Sequence, residues 1–212
     1  MALASFPECH RQPPPLRTNQ LVPYGTTSVA VVIKLAELLL HKESGVDNAK
    51  WPALAGQGLL VAILLNPPLL TTGNRSRNAV GIASQLLGYK SVEVVNLYTE
   101  PTSSIAELGL SETLEGWLWA RPKLRTALQS ADGLLGAWGV AGLSGSAQRG
   151  RDRQVAWLRA EASRVGLSSI WMVGGEPRHP SRWHQYVSDK YGRTTGGTFE
   201  ERLRQVVVSV PL

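Results

Sequence analysis

The chain is most apolar at residues 59–68, which read Leu59-Leu60-Val61-Ala62-Ile63-Leu64-Leu65-Asn66-Pro67-Pro68. Seven aliphatic residues followed by an amide and two prolines predict a buried strand that ends in a rigid loop, because proline fixes φ and has no backbone donor. In open α/β sheets, ligands bind at the loops that follow the carboxyl ends of strands. Asn66 is therefore a candidate site residue, although an asparagine that only caps a turn would produce the same pattern.

Three further apolar runs follow along the chain, at Val92–Tyr98, Gly133–Gly139 and Ser169–Gly174. Helix-length segments at residues 76–87, 103–128 and 148–165 separate the runs. This alternation predicts an α/β fold: a three-layer α/β/α sandwich around a central four-stranded parallel sheet. Because parallel crossovers are right-handed, all four strands should end at the same edge, and the loops that follow them should converge there.

The 212 residues predict one α/β domain over residues 26–212, preceded by an arm at residues 1–25 that contains five prolines. Residues 26–42 have the apolar spacing of a helix. The single cysteine, Cys9, permits no internal disulfide. With four histidines, no zinc motif, no P-loop and no GxGxxG motif, we expect neither a metal nor a cofactor.

Basic residues are concentrated in the second part of the chain. Residues 121–212 contain 14 basic and 7 acidic residues, whereas residues 1–120 contain 8 and 9. Sixteen of the 22 basic residues are arginine, which suits bidentate phosphate contacts. This asymmetry predicts a nucleic-acid partner, and a solvated basic face without a partner is the alternative. Without a signal-type N-terminus or an apolar segment of about 18 residues, we expect a cytoplasmic monomer without a membrane partner.

The loop after the fourth run contains His179 between Pro177 and Pro180. A lone histidine is more often structural than catalytic, but this one follows a predicted strand in a stiffened loop. Its neighbours are Arg178, Arg182 and Trp183. That setting favours a functional histidine.

Two other loops are candidate anion sites. Residues 137–146 are rich in small residues and precede a basic helix, and backbone N–H groups at a helix start bind anions. After the first strand, Arg75 and Arg77 lie at another predicted helix start. The predicted edge thus offers an amide, an imidazole, backbone donors and arginines. These groups suit binding a base and phosphates and positioning a water molecule, and they suit metal or acyl-transfer chemistry poorly.

With these motifs in order, the chain resembles the uracil-DNA glycosylase superfamily over residues 55–190, especially its mismatch-specific uracil/thymine branch. The matching segments are Leu64-Leu65-Asn66-Pro67, Val95-Asn96-Leu97 with Pro101-Thr102, Trp138-Gly139, and His179-Pro180-Ser181. Two departures are visible. Asn66 precedes Pro-Pro rather than the usual glycine, and Arg182-Trp183 stands where a leucine-type wedge is expected. The chain also resembles bacterial and phage proteins with an Asn-Pro loop and a terminal Pro-Arg-His-Pro.

The resemblance implies hydrolysis of the N-glycosidic bond of a flipped base in double-stranded DNA. Asn66 would orient the water, and His179 would donate a hydrogen bond to the base. Tyr98 would stack on the base, Asn96 or Asn78 would read its edge, and Arg182 or Trp183 would wedge into the duplex. The expected phosphate contacts are Arg75, Arg77, Ser144, Arg149, Arg151, Arg178 and Ser181.

The resemblance leaves the base open. Repair of a damaged or mismatched pyrimidine and antiviral attack on hypermodified cytosine in phage DNA are equally consistent with it. Two other functions also fit the predicted edge. A non-catalytic protein that binds modified DNA would never create alkali-labile sites. A hydrolase or transferase acting on free nucleosides would show no salt-dependent DNA binding.

Overall fold

The computed structural model describes residues 58–68, 74–194 and 197–212. The predicted proline-rich arm at residues 1–25 and the predicted helix at residues 26–42 lie outside the described residues. In the described ranges the chain forms one five-stranded sheet with helices on both faces.

The strands are β1 (Leu59–Leu64), β2 (Ser91–Asn96), β3 (Gly133–Gly136), β4 (Ser169–Val173) and β5 (Val207–Pro211). Their order in the sheet is β2-β1-β3-β4-β5. The first four strands are parallel, which confirms the predicted α/β sandwich.

The predicted purely parallel, four-stranded sheet is wrong in one respect, because β5 pairs with β4 in the antiparallel direction. The pattern of alternating strands and helices did not reveal β5, since it follows the last helix directly at Val207. An antiparallel edge strand needs no crossover helix.

The helices are α1 (Asn74–Leu86), α2 (Ile105–Ser111), α3 (Leu114–Ser130), α4 (Gly145–Arg164), α5 (Trp183–Tyr186) and α6 (Phe199–Val206). Two 3-10 turns lie at Pro180–Arg182 and Asp189–Tyr191. The predicted helical region 103–128 contains two helices, because the Thr113 side chain caps the start of α3 by accepting from the Gly116 N–H. None of the helices in the described ranges is both long and apolar enough to cross a membrane.

The apolar core lies on both faces of the sheet. Val61 and Ile63 of β1 pack on the side of α3 and α4. Leu60 and Ala62 pack on the opposite side, against α1 and α6. All four side chains are fully buried, which explains why β1 is a continuous apolar run rather than an alternating one.

The sheet register brings the ends of the parallel strands together. Leu64 at the end of β1 is level with Asn96 at the end of β2, and Ile63 is level with Gly136 at the end of β3. The residues just after these positions therefore share one edge of the sheet, and the candidate site lies there.

Candidate functional site

A cleft of about 1750 Å³ includes the carboxyl ends of the parallel strands and extends along β1 and β2 as far as Leu59 and Ser91. Its lining includes residues from the loops that follow β1, β3 and β4, together with the last residue of β2. These residues are Asn66, Asn96, Trp138, Gly139 and His179. The structure thus brings the amide of residue 66 and the imidazole of residue 179 into the same cleft.

The side-chain amide of Asn66 is held through its nitrogen. Nδ2 donates to the backbone oxygens of Pro67 at 3.0 Å and Thr102 at 3.3 Å, and to Thr102 Oγ1 at 3.0 Å. Thr102 is buried, and its hydroxyl donates in turn to the backbone oxygen of Ser104. The Asn66 nitrogen is therefore fully engaged, and Oδ1 is the atom left to accept a hydrogen bond from a ligand or a water molecule.

The His179 ring is fixed by the residue two positions later. Nδ1 accepts from the Ser181 backbone N–H at 3.3 Å and lies 2.9 Å from Ser181 Oγ. Because a backbone N–H can only donate, Nδ1 carries no proton, and the neutral ring carries its proton on Nε2. Burial, and to a lesser extent the charge of Arg182, lower the pKa of His179 below its usual value near 6.5. His179 is thus a neutral donor through Nε2 at pH 7.

The loops after β3 and β4 contact each other beside this histidine. Gly139 has φ +91° and donates its N–H to the backbone oxygen of Pro177. A Cβ atom at Gly139 would lie 3.5 Å from His179 Cβ. That distance is an ordinary van der Waals contact, so glycine is favoured here by the positive φ rather than by a lack of space.

Asn96, which lines the cleft, carries a buried acceptor. Its Oδ1 is buried and has no hydrogen-bond partner among the described residues, whereas buried polar atoms are generally paired. Because this oxygen is not exposed at the surface of the cleft, it would accept from a ligand N–H group only after the Asn96 side chain turns.

The lining of the cleft is strongly positive. Among the described residues it contains six basic side chains and one acidic side chain, which are Arg75, Arg77, Lys123, Arg178, Arg182 and Arg193, and Glu93. Arg75 and Arg77 lie in the first turn of α1, where the helix dipole adds positive potential. The cleft is therefore suited to a polyanion.

A family model described as "Protein of unknown function (DUF1643)" matches residues 50–181, which is more than half of the chain. The chain belongs to the DUF1643 family. The DUF1643 match contains all four strand-end segments of the cleft and ends at Ser181, so Arg182 and Arg193 lie beyond it. The comparisons with curated proteins and with solved structures found no match.

Two aromatic residues predicted to contact DNA are buried outside the lining of the cleft. Tyr98 is 1% exposed, packs on Trp117 with ring centroids 4.9 Å apart, and accepts a hydrogen bond from the Thr113 N–H. This placement does not fit stacking on a flipped base. Trp183 is fully buried and donates from Nε1 to the Arg178 backbone oxygen at 2.7 Å, which does not fit a wedge.

Four other predicted residues also lie outside the lining. Asn78 is exposed on α1 without reaching the cleft. Arg149 is exposed on α4, and Ser144 is the exposed residue that precedes this helix. Arg151 donates to the backbone oxygen of Ala141 at 2.9 Å, so it supports the loop after β3.

The remaining predicted residues do line the cleft. They are Arg75, Arg77, Arg178, Ser181 and Arg182. The predicted role of Ser181 changes, however, since its hydroxyl and N–H orient His179.

Sequence reasoning missed several lining residues of this DUF1643 protein. Thr102 was matched only as part of a motif, and its contact with Asn66 depends on the path of the β2–α2 loop. Tyr186 and Arg193 follow the last recognised motif, and only the basic composition of residues 121–212 pointed to that region. Within the described residues, no group of three or more histidine, cysteine, aspartate or glutamate side chains is placed to hold a metal ion.

Proposed function

We propose that this DUF1643 protein is a DNA glycosylase that hydrolyses the N-glycosidic bond of a flipped pyrimidine and leaves an abasic site. The observation that carries the proposal is the cleft itself. It combines a fixed carboxamide, Asn66, with a neutral imidazole donor, His179, and its lining holds six basic side chains to one acidic side chain. The roles given to these two residues follow the resemblance to uracil-DNA glycosylases.

The two site residues have complementary roles in this reaction. Asn66 Oδ1 accepts a hydrogen bond from a water molecule and orients it toward C1′ of the sugar. His179 Nε2–H donates to a carbonyl oxygen of the base, where negative charge develops as the bond breaks. An amide cannot take up a proton as a general base, so the reaction depends on stabilising the departing base. After its side chain turns, Asn96 Oδ1 accepts from an N–H group on the edge of that base.

The basic lining residues bind the DNA backbone. Arg75 and Arg77 contact phosphates from the start of α1. Arg182 is exposed at the cleft, so it is a better candidate than the buried Trp183 to enter the duplex. These contacts make binding dependent on salt, because phosphate neutralisation releases counterions. Arg149 and Ser144 would extend the contact along the duplex.

The volume of the cleft limits the size of the base that it can accommodate. At about 1750 Å³ it exceeds the roughly 300–1,000 Å³ typical of small-molecule pockets. A cleft of this size accommodates a damaged or mismatched pyrimidine with its backbone, or a bulky modified cytosine. We propose cytoplasmic action by a monomer, in repair or in defence against phage with modified DNA.

One alternative has an observation in its favour. Glu93 is the single carboxylate among the described lining residues, and a protein that binds modified DNA without cutting it needs no general base. Such a protein would bind DNA with the same salt dependence and would leave the glycosidic bond intact.

Base release separates these functions. Wild type and Asn66→Ala are incubated with duplexes that contain uracil opposite guanine, thymine opposite guanine, or glucosylated hydroxymethylcytosine, and abasic sites are revealed by alkaline cleavage. We expect wild type to cut at least one duplex and Asn66→Ala to bind it without cutting. Gln129→Ala removes an exposed amide on α3 and should cut like wild type. No cleavage of any duplex by wild type would contradict the proposal.

A further inference from the structure

Tyr186 of α5 lies in contact with two arginines at the cleft. Arg178 Cζ is 4.1 Å and Arg193 Cζ is 4.5 Å from the centroid of its ring. Both distances are within the range of cation–π contacts. All three side chains line the cleft that contains Asn66 and His179. We call this group the Arg–Tyr–Arg unit.

The tyrosine is held in place by the turn after β4. Gly174 has φ +64°, and a Cβ atom at this position would collide with the Tyr186 hydroxyl oxygen. The absence of a side chain at residue 174 therefore leaves the space that the hydroxyl end of Tyr186 occupies. The ring in turn fixes the directions of the two guanidinium groups, which lowers the entropy they lose when they bind a ligand.

The positive charge of the unit is only partly neutralised by neighbouring carboxylates, and one of its N–H donors has no acceptor among the described residues. Arg178 pairs with Glu176, whereas Arg193 takes part in no ion pair within the described residues. In addition, Arg178 Nε is buried and has no hydrogen-bond acceptor in the part of the chain that the structure describes. Two like charges against one ring with one carboxylate form an arrangement that an anion would stabilise.

We propose that the Arg–Tyr–Arg unit binds a backbone phosphate of DNA, with Arg193 as the main contact. A guanidinium group stacked on a ring keeps its N–H edge free for bidentate hydrogen bonds to phosphate oxygens. Because the unit and the candidate catalytic pair line one cleft, the phosphate belongs to the DNA that enters this cleft. This inference rests on the proposed DNA partner and adds Tyr186 and Arg193, which no sequence motif indicated, to the predicted phosphate contact Arg178.

The test measures how salt affects binding to a short fluorescein-labelled duplex without a modified or mismatched base, which the protein should bind without cutting. Losing one phosphate contact reduces the slope of log K against log salt by about 0.9. The advantage of wild type over Arg193→Ala should therefore shrink about 3.5-fold between about 50 mM and about 200 mM salt. Arg204→Ala removes an exposed arginine of α6 outside the lining and should leave the slope unchanged.

Two further variants test the geometry. Arg193→Lys keeps the charge and loses the planar fork, so it should retain the slope and bind more weakly than wild type. Tyr186→Phe keeps the ring and should bind like wild type, whereas Tyr186→Leu should weaken binding without changing the slope.

The outcomes distinguish this inference from the proposed function. Equal slopes and affinities for wild type and Arg193→Ala would overturn the phosphate site, even if wild type releases bases. Wild type that binds no DNA would overturn both proposals. DNA binding that depends on Arg193 but without base release from any duplex would support the phosphate site and count against the glycosylase.

Discussion

His179 should act as a neutral hydrogen-bond donor, so base release should continue as the pH falls through the ordinary histidine range near about 6.5. Burial and Arg182 lower its pKa. Protonation would also place a hydrogen on Nδ1, directly against the Ser181 N–H that donates to this atom. The single-turnover rate constant of base release should therefore stay level as the pH falls through about 6.5 and decline only at lower pH.

The expected contribution of His179 to the rate of base release follows from its proposed role as a hydrogen-bond donor. Removing one donor to a developing oxyanion typically slows catalysis by about 100- to 1,000-fold, and His179→Ala should lose that much in single-turnover rate. His184→Ala is the matched control, because His184 stacks on Phe199 with centroids 3.8 Å apart and lies outside the lining of the cleft. It should release bases at the wild-type rate.

The same lowered pKa makes a prediction about stability. The unfolded chain takes up a proton on His179 near about pH 6.5, whereas the folded chain does so at lower pH. The stability of the folded state should therefore fall as the pH decreases from about 6.5 toward the folded pKa.

Arg182→Gln removes the smaller of the two causes that lower the pKa of His179. The substitution should raise the pKa of His179, measured by imidazole NMR, without restoring it fully. Base release that declines with an apparent pKa of about 6.5 or above would refute the neutral-donor role.

Two further substitutions test the residues that position the site. Thr102→Val removes the hydroxyl that accepts from Asn66 and should slow base release by about tenfold in single-turnover assays. Duplex affinity should stay unchanged, and a similar loss of affinity would contradict a purely positioning role. Gly174→Ala should lower the thermal stability more than Gly175→Ala. Both glycines have positive φ, which costs an alanine about 1–3 kcal/mol, but only at residue 174 would the new Cβ atom collide with Tyr186. Equal losses of thermal stability in both variants would show that the Tyr186 ring moves aside at little cost.

The sequence was sufficient to predict the four parallel strands of the sheet and the edge at which the candidate site lies. Four apolar runs separated by helical segments have few arrangements, and parallel crossovers bring their carboxyl ends together. Asn66 and His179 could be selected because each follows a strand and lies beside prolines that fix its loop. The antiparallel β5 could not be predicted in this way, since a strand that follows a helix directly leaves no loop in the pattern.

The orientation of individual side chains was harder to predict than their position along the chain. Tyr98 and Trp183 both follow predicted strand ends, yet both are buried, because a large ring gains more from packing than from exposure at a cleft. Tyr98 packs beside Gly116, where a Cβ atom would overlap its ring. That space depends on a residue far away in sequence, so local motifs carry no signal for it.

The proposed DNA contacts extend beyond the part of the chain that contains the proposed catalytic residues, because Arg75, Arg77 and Arg178 lie inside the DUF1643 match and others lie after it. Asn66, Thr102 and His179 lie within the DUF1643 match, which ends at Ser181. Arg182, Tyr186 and Arg193 lie beyond it and line the same cleft. The residues proposed to act on the glycosidic bond therefore belong to the matched family region, while part of the proposed phosphate site comes from the segment that follows. Variants of the two groups should consequently separate: Asn66→Ala should abolish cleavage and retain affinity, and Arg193→Ala should reduce affinity while bound DNA is still cut.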